Sequence, residues 1–294
     1  MLDKKKVFTL GGSGLVGSRF IDLYQDSFEF TSPTINELDI LDQEALKQAV
    51  EDSGAKVLIN FAAFTNVDKA EAEKGDKNGI VYKLNVLAAG QVAKLCQNLN
   101  LRLIHISTAY VFDGKKSDSP YKEGDKTNPI NWYGFTKLEG EEEVLKNSSN
   151  ATVLRIDMPY RSQYPEKKDF ARFFYEELKK SNSIAAVGDQ NITPVFIDNL
   201  AEVISGVVKK PLTGIFHVAP ITSTTPLEFV RKLAEILKIE GVISSIDFAE
   251  FNKNRVASRP QHTWMDSQKI RDELGEVTKS VGDNISKLSK QLTG

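Results

Sequence analysis

Along the first half of the chain, apolar and polar positions fall into blocks that take the strand period and the helix period in turn. Val7-Phe8-Thr9-Leu10 is a short apolar run that predicts a first strand, followed by a helical period over Leu15 to Asp26. A short strand near Phe28 to Phe30 and a helix over Gln43 to Asp52 come next. Val57-Leu58-Ile59-Asn60-Phe61-Ala62-Ala63 predicts a buried strand whose small terminal residues leave room for a ligand. A helix over Ile80 to Leu99, a strand over Leu101 to Ser107, an amphipathic helix from Tyr133 to Lys146 and a strand over Thr152 to Asp157 complete the alternation. Strand and helix in strict turn predict an α/β fold with a doubly wound parallel sheet. Beyond Met158 the pattern loosens, with helices near Asp169 to Ser181, Asp198 to Lys209, Pro226 to Lys238 and Val281 to Leu292. No internal repeat or low-complexity linker separates the two parts, so they are expected to pack as one body.

At the junction of the first strand and helix stands Gly11-Gly12-Ser13-Gly14-Leu15-Val16-Gly17. A G-x-x-G-x-x-G turn there suits a dinucleotide: glycines at 11 and 14 let the backbone turn and approach phosphate oxygens, and the helix N-terminus supplies unpaired N–H donors. Three glycines at such a turn can also serve tight packing alone. On the first reading, 1–157 is a dinucleotide-binding Rossmann domain, and 158–294 is mainly a smaller C-terminal substrate lobe with elements returning to the sheet.

Composition narrows the partners. With 38 Lys and Arg against 40 Asp and Glu, the net charge of -2 points neither to nucleic acid nor to an acidic membrane surface. Cys96, the single cysteine, sits in an amphipathic stretch and is read as a core residue of a protein in a reducing cytoplasm. The start Met1-Leu2-Asp3-Lys4-Lys5-Lys6 has the pattern of neither signal peptide nor membrane anchor. His105, His217 and His262 lie far apart, so no metal site is expected, and the first two occupy strand-like runs where core packing is the reading.

Candidate chemistry lies in Ser107-Thr108 and in Tyr133-x-x-x-Lys137. The Tyr-x-x-x-Lys pattern occurs three times, but Tyr164 with Lys168 contains Pro165, and Tyr175 with Lys179 follows no strand that ends in a hydroxyl residue. Tyr133 and Lys137 open a helix, where i and i+4 side chains share one face, after a strand that does end in hydroxyls. An ammonium close to a phenol would lower the tyrosine pKa and make it a proton donor or acceptor; a solvated Tyr and Lys on a helix surface is the plainer alternative.

Together these residues resemble the extended short-chain dehydrogenase/reductase superfamily, and within it the dTDP-4-dehydrorhamnose reductase family, over essentially the whole chain. Leu38-Asp39-Ile40 looks like the adenine-contacting segment, and the run from Asn60 to Glu71 is similar to the signature after the family's buried strand. His105 to Gly114 resembles the catalytic strand and loop, Tyr133 to Glu141 the catalytic helix, and Arg259-Pro260 with Met265-Asp266 the closing motif. The resemblance implies Thr108, Tyr133 and Lys137 as catalytic residues. It implies a cofactor site of Gly11, Ser13, Gly14, Leu15, Val16, Asp39, Ile40, Phe61, Ala62, Ala63, Asn85, Tyr133 and Lys137, with Asn85 holding a water network. It places the substrate against Thr65, Val67, Thr108, Ala109, Tyr110, Phe112, Met158 and Arg259. The implied activity is NADPH- or NADH-dependent reduction of the 4-keto group of a nucleotide-activated deoxysugar, as in dTDP-rhamnose biosynthesis, by a cytoplasmic protein compatible with a homodimer.

Two positions depart from that family. Ala109 stands where an aspartate is usual and Met158 where a tryptophan is usual, both facing the sugar, which bears on the identity of the substrate. Asp157 could supply the missing acid or cap a helix. At the end of the second strand Thr31 and Ser32 are neutral, which predicts that NADPH serves at least as well as NADH. Glu29 is the nearest acid, and Arg19 could reach a 2′-phosphate or be a solvated helix residue. Two other functions remain: a non-catalytic dinucleotide-binding regulatory subunit, as one relative of this family is for a methionine adenosyltransferase, and an NAD-dependent sugar-nucleotide epimerase.

Overall fold

The structure is a computed structural model that describes residues 4–180 and 183–293. The charged start at Met1 to Asp3 and the helix end expected at Ser181 lie outside the described residues. Among the described residues no helix is long and apolar enough to cross a membrane.

Strands β1 (Lys5–Leu10), β2 (Phe28–Thr31), β3 (Val57–Asn60), β4 (Arg102–Thr108) and β5 (Ala151–Ile156) alternate with helices α1 (Leu15–Tyr24), α2 (Gln43–Ser53), α3 (Val67–Glu71), α4 (Ile80–Tyr82), α5 (Ala88–Asn98) and α6 (Trp132–Asn147). The second half adds α7 (Phe170–Lys180), β6 (Ser183–Val187), α8 (Ile197–Lys209), β7 (Gly214–Val218), α9 (Pro226–Leu237), β8 (Val242–Ile246), α10 (Phe248–Lys253), α11 (Gln268–Leu274) and α12 (Val281–Thr293). The main sheet has six strands in the order β2-β1-β3-β4-β5-β7, and every pairing is parallel. The order reverses between β1 and β3, which opens a crevice at their carboxyl ends.

Period-two alternation explains the two layers. Val7, Ile59, Ile104 and Leu154 face one side and pack with Phe20 of α1 and Val203 and Ile204 of α8. Their neighbours Phe8, Leu58, Leu103 and Val153 face the other side, against Leu46 of α2, Val92 and Cys96 of α5 and Val144 of α6. Cys96 is a fully buried core residue, as expected, and burial pushes its thiol up to about 12. A third core joins Tyr160, Phe174 of α7, Phe229 and Leu233 of α9 and Ile285 of α12 beside a two-stranded parallel sheet of β6 and β8.

The sequence-based expectations fail at identifiable places. The strand expected to reach Ala63 stops at Asn60, because the Asn60 side chain takes the Ala62 N–H (3.0 Å) and turns the chain out of the ladder. The helix expected over Ile80 to Leu99 runs through a π-helical turn at Lys83–Leu87, which adds a residue without ending the helix. Strands β6 and β8 and helices α10 and α11 have no counterpart among those expectations, whereas β7, which pairs with β5, contains the strand-like run at His217.

Candidate active site

The turn after β1 is shaped for close approach. Gly11 has φ +70°, and a Cβ there would lie 2.7 Å from the Ala62 backbone N across the crevice. A Cβ at Gly17 would lie 2.7 Å from the Gly11 carbonyl, so that glycine lets α1 pack against the turn. Gly14 is the N-cap of α1, with no side chain capping the first-turn N–H groups, and a Cβ there meets only the Gly11 carbonyl at 3.2 Å. Ser13 is exposed while Leu15 and Val16 are half-buried. A cradle this narrow at a helix N-terminus without a side-chain cap fits a dinucleotide pyrophosphate.

Across the crevice, Phe61 N donates to Leu10 O (2.9 Å), which sets Phe61, Ala62 and Ala63 along the wall. Asn85, in the π-turn, uses both of its N–H donors and accepts one bond: its Oδ1 accepts from Phe64 N (2.8 Å), and its Nδ2 donates to Phe64 O (3.2 Å) and Thr136 Oγ1 (3.0 Å). Its side chain therefore fastens the Phe64 segment to α6. Asp39 is exposed and accepts from Leu41 N, whereas Ile40 turns into the core with Leu46 and Val50. A cofactor contact from Ile40 is thus left to its backbone.

Arg19 does not wait for a phosphate. Its guanidinium holds both oxygens of Asp198 (2.7 and 2.9 Å) between α1 and α8. Glu29 reaches back to Lys6 (3.6 Å), so neither the acid nor the base considered for the ribose is placed to read it. Ser32 Oγ lies against Gly12, where an added Cβ would meet it at 2.0 Å.

The groups expected to be catalytic, Thr108, Tyr133 and Lys137, lie at the carboxyl end of β4 and the first turns of α6. Asn131 caps α6, accepting from Gly134 N at 2.8 Å, and a Cβ on Gly134 would lie 2.2 Å from the Tyr110 carbonyl. That close approach sets Tyr133 beside Thr108, whose hydroxyl acts on its phenol. The rings of Tyr110 and Tyr133 meet edge to face, with centroids 5.9 Å apart. Burial pushes the Tyr133 phenol up to about 12, with the Thr108 hydroxyl opposing. Lys137 is pushed down to about 8 by burial, while Glu141 opposes that shift. Its Nζ donates to Ile106 O (2.8 Å) and lies 3.4 Å from His105 Nε2. The expected lowering of the tyrosine by the lysine is therefore corrected: burial raises the phenol, only the Thr108 hydroxyl opposes it, and the phenol stays protonated at neutral pH.

Behind Lys137, Glu141 and Arg155 form a buried ion pair, with contacts of 3.0, 3.1 and 2.7 Å, and the guanidinium carbon stands 5.2 Å over the Phe112 ring. Phe112 is fully buried and stacks on Tyr121 at 4.2 Å, so it supports the loop from beneath instead of touching a substrate. Ala109 is likewise fully buried. Removing one partner of such a buried pair costs about 3–5 kcal/mol, so the pair fixes α6 against β5.

Of the expected substrate residues, Tyr110, Met158 and Arg259 line one cleft of about 610 Å³, together with Phe170, Gln190 and Arg255, which sequence reasoning missed. Met158 has φ +37°, a left-handed backbone unusual for a side-chain-bearing residue and a place of strain in the cleft wall. Thr65 is exposed and Val67 half-buried, on the segment entering α3. Next to them Asp68 binds Arg259, which holds the closing segment against that wall. Asp157 caps no helix. Its Oδ2 accepts from Thr193 N (3.1 Å) and Thr263 Oγ1 (2.7 Å), its Oδ1 is buried without a protein partner, and burial raises it to about 7. Tyr164 and Arg161 were also missed: the first donates to Ser13 O (3.1 Å) and the second to Ser18 Oγ (2.9 Å), so this segment flanks the glycine turn. No local pattern announces contacts between residues 151 and 143 positions apart.

A glycine cradle at the switch point of a parallel sheet, with Thr, Tyr and Lys gathered at the end of β4, defines an extended short-chain dehydrogenase/reductase. The chain belongs to the RmlD substrate binding domain family, whose model matches residues 5–293. It is 33% identical to a dTDP-4-dehydrorhamnose reductase of Mycolicibacterium smegmatis over 270 residues, 90% of this chain and 79% of that one. It is 27% identical to methionine adenosyltransferase 2 subunit beta of Rattus norvegicus over 285 residues, 92% of this chain and 82% of that one. The crystal structure of dTDP-4-dehydrorhamnose reductase from Bacillus anthracis in complex with NADP superposes with a TM-score of 0.89 at 25% identity, covering 97% of this chain and 99% of that one.

Proposed function

We propose that the protein is an NAD(P)H-dependent reductase of the C4 keto group of a nucleotide-activated deoxysugar. The observation that carries this reading is the packing of the first turn of α6 onto the end of β4, Gly134 against the Tyr110 carbonyl and Lys137 Nζ on Ile106 O, which sets a protonated Tyr133 beside Thr108. The nicotinamide cofactor, when bound, supplies the hydride. Thr108 holds the carbonyl oxygen, Tyr133 gives that oxygen its proton, and Lys137 binds the nicotinamide ribose and restores the positive field that a departing phenolic proton needs. Gly11, Gly14 and the first turn of α1 take the pyrophosphate, and Arg259, Tyr110 and Met158 face the sugar nucleotide. The reductase names and the NADP complex among the relatives support the cofactor and the substrate class. Ala109 and Met158 leave the particular sugar open, dTDP-4-dehydrorhamnose among the candidates, and a cytoplasmic homodimer is the expected form.

The relative that is a subunit of methionine adenosyltransferase favours one second reading, a dinucleotide-binding regulatory subunit. Retention of Thr108, Tyr133 and Lys137 weighs against it, and an epimerase would keep NAD+ tightly through purification. Loss of NADPH absorbance with a panel of nucleotide-linked 4-keto sugars tests the proposal. Turnover by the purified protein that vanishes in Tyr133→Phe supports it, and no turnover with any sugar of the panel sinks it.

A further inference from the structure

Asn60 on β3 lies in register with His105 on β4. Because Asn60 Oδ1 accepts from Ala62 N (3.0 Å), the amide turns its Nδ2 toward the imidazole, 3.3 Å from His105 Nδ1. An N–H donor at that position makes Nδ1 the acceptor and leaves the proton of the neutral ring on Nε2. Nε2 in turn lies 3.4 Å from Lys137 Nζ. A ring N–H facing Nζ needs a lone pair there, and only the neutral amine has one. As an ammonium, Lys137 has three donors and no acceptor, so it needs the lone pair of Nε2. The ring proton then moves to Nδ1, and Asn60 must turn over to accept it, which leaves Ala62 N–H without its partner.

We propose that Asn60, His105 and Lys137 form a tautomer relay, in which His105 is a positioning residue whose ring proton sits on Nε2 when Lys137 is an amine and on Nδ1 when it is an ammonium. The relay rests on the active site proposed above. It is sealed from water, with Asn60 and His105 each 1% exposed and Lys137 2% exposed. Burial and the neighbouring Lys137 hold the imidazole well below its ordinary pKa, so the ring answers by tautomer and not by charge. Lys137 is pushed down to about 8, which puts the exchange within an accessible pH range. The groups that face this lysine are few. Tyr133 stands one turn earlier on α6, Glu141 one turn later with its carboxylate committed to Arg155 of β5, and Asn60 on β3 is uncharged. The relay explains why a histidine in a buried strand is not simply packing: it makes the lysine's charge depend on a backbone hydrogen bond in the crevice wall.

Long-range 1H–15N spectra of the histidine rings read the tautomer without turnover, with His105→Gln identifying the signals. Between pH 6 and pH 10 the ring should pass from the Nδ1–H to the Nε2–H form, with one midpoint near that of Lys137 and no imidazolium. A single tautomer across that range, or a charged ring, overturns the proposal. The pH dependence of NADPH binding gives a second reading: His105→Phe should displace the Lys137 midpoint by about one pH unit, and His105→Gln, which can accept or donate, should restore it. An unchanged midpoint in His105→Phe also overturns it. The spectra are independent of substrate, so a titrating tautomer in a protein inactive on every sugar would fault the reductase reading alone, and a fixed tautomer in an active reductase would fault the relay alone.

Discussion

Arg259 closes on Asp68 through two N–H···O bonds of 2.9 and 2.7 Å, one to each carboxylate oxygen, joining residues 191 positions apart at the edge of the cleft. The pairing holds the Asp68 carboxyl below its usual range, and a third hydrogen bond, from Ala257 N to the same carboxylate, ties the closing segment to α3. If Arg259 also meets the substrate, as proposed, Arg259→Ala should raise KM for the nucleotide sugar about tenfold to a hundredfold, the worth of a charged hydrogen bond. Asp68→Asn, which keeps the shape and frees the guanidinium, should raise it far less, and cofactor binding should hold in both. Equal losses in the two variants would leave Arg259 as a clasp only.

Tyr133→Phe removes one hydroxyl and almost no packing surface. Turnover should fall at least ~100-fold, the contribution of a positioned proton donor, while cofactor affinity stays within a few fold. Single-turnover rates together with fluorescence titration of NADPH decide it. Near-normal turnover would remove Tyr133 from the chemistry.

Legibility followed burial. Val57–Asn60 is buried throughout and reads as an unbroken apolar run, so the first sheet could be seen in the chain. Val242–Ile246 has no fully buried residue and carries two serines, so β8 and its partner β6 left no comparable signal. The π-turn at Lys83–Leu87 shifts the helical register by one residue, too little to disturb an apolar stripe. The proposed catalytic trio was legible because strand end and helix start bracket it. The relations that place it were not: Gly134 against the Tyr110 carbonyl, Glu141 against Arg155 and His105 against Lys137 all depend on tertiary approach.

Cofactor preference is open to a direct comparison. Glu29 is drawn to Lys6 and Arg19 to Asp198, which leaves Thr31 and Ser32 as neutral neighbours of the expected adenosine ribose. Wild-type protein should use NADPH at least as well as NADH in steady-state assays. Thr31→Asp places a carboxylate where a 2′-phosphate would lie, and like-charge repulsion should move the ratio of kcat/KM about tenfold toward NADH. A strong NADH preference in the wild type would mean that another acid reads the ribose.

Asp157 gives stability a pH dependence whose sign is fixed by its burial. Its carboxyl is 1% exposed and raised to about 7 from an ordinary 3.8. The folded protein therefore binds a proton that the unfolded chain releases. The stability this contributes is fully present below about pH 4 and lost as pH rises through 7, on the order of 4 kcal/mol across the window. Asp157→Asn keeps the acceptor for Thr193 N and Thr263 Oγ1 but cannot ionise, so its stability should fall less between pH 5 and pH 7.5. The comparison must be with wild type, because His105 and His217, both held below their ordinary pKa, slope the other way in each protein. Urea unfolding at several pH values reads the difference. Parallel pH slopes for the two proteins would mean that Asp157 stays ionised in the fold, its Oδ1 satisfied by a partner such as bound water.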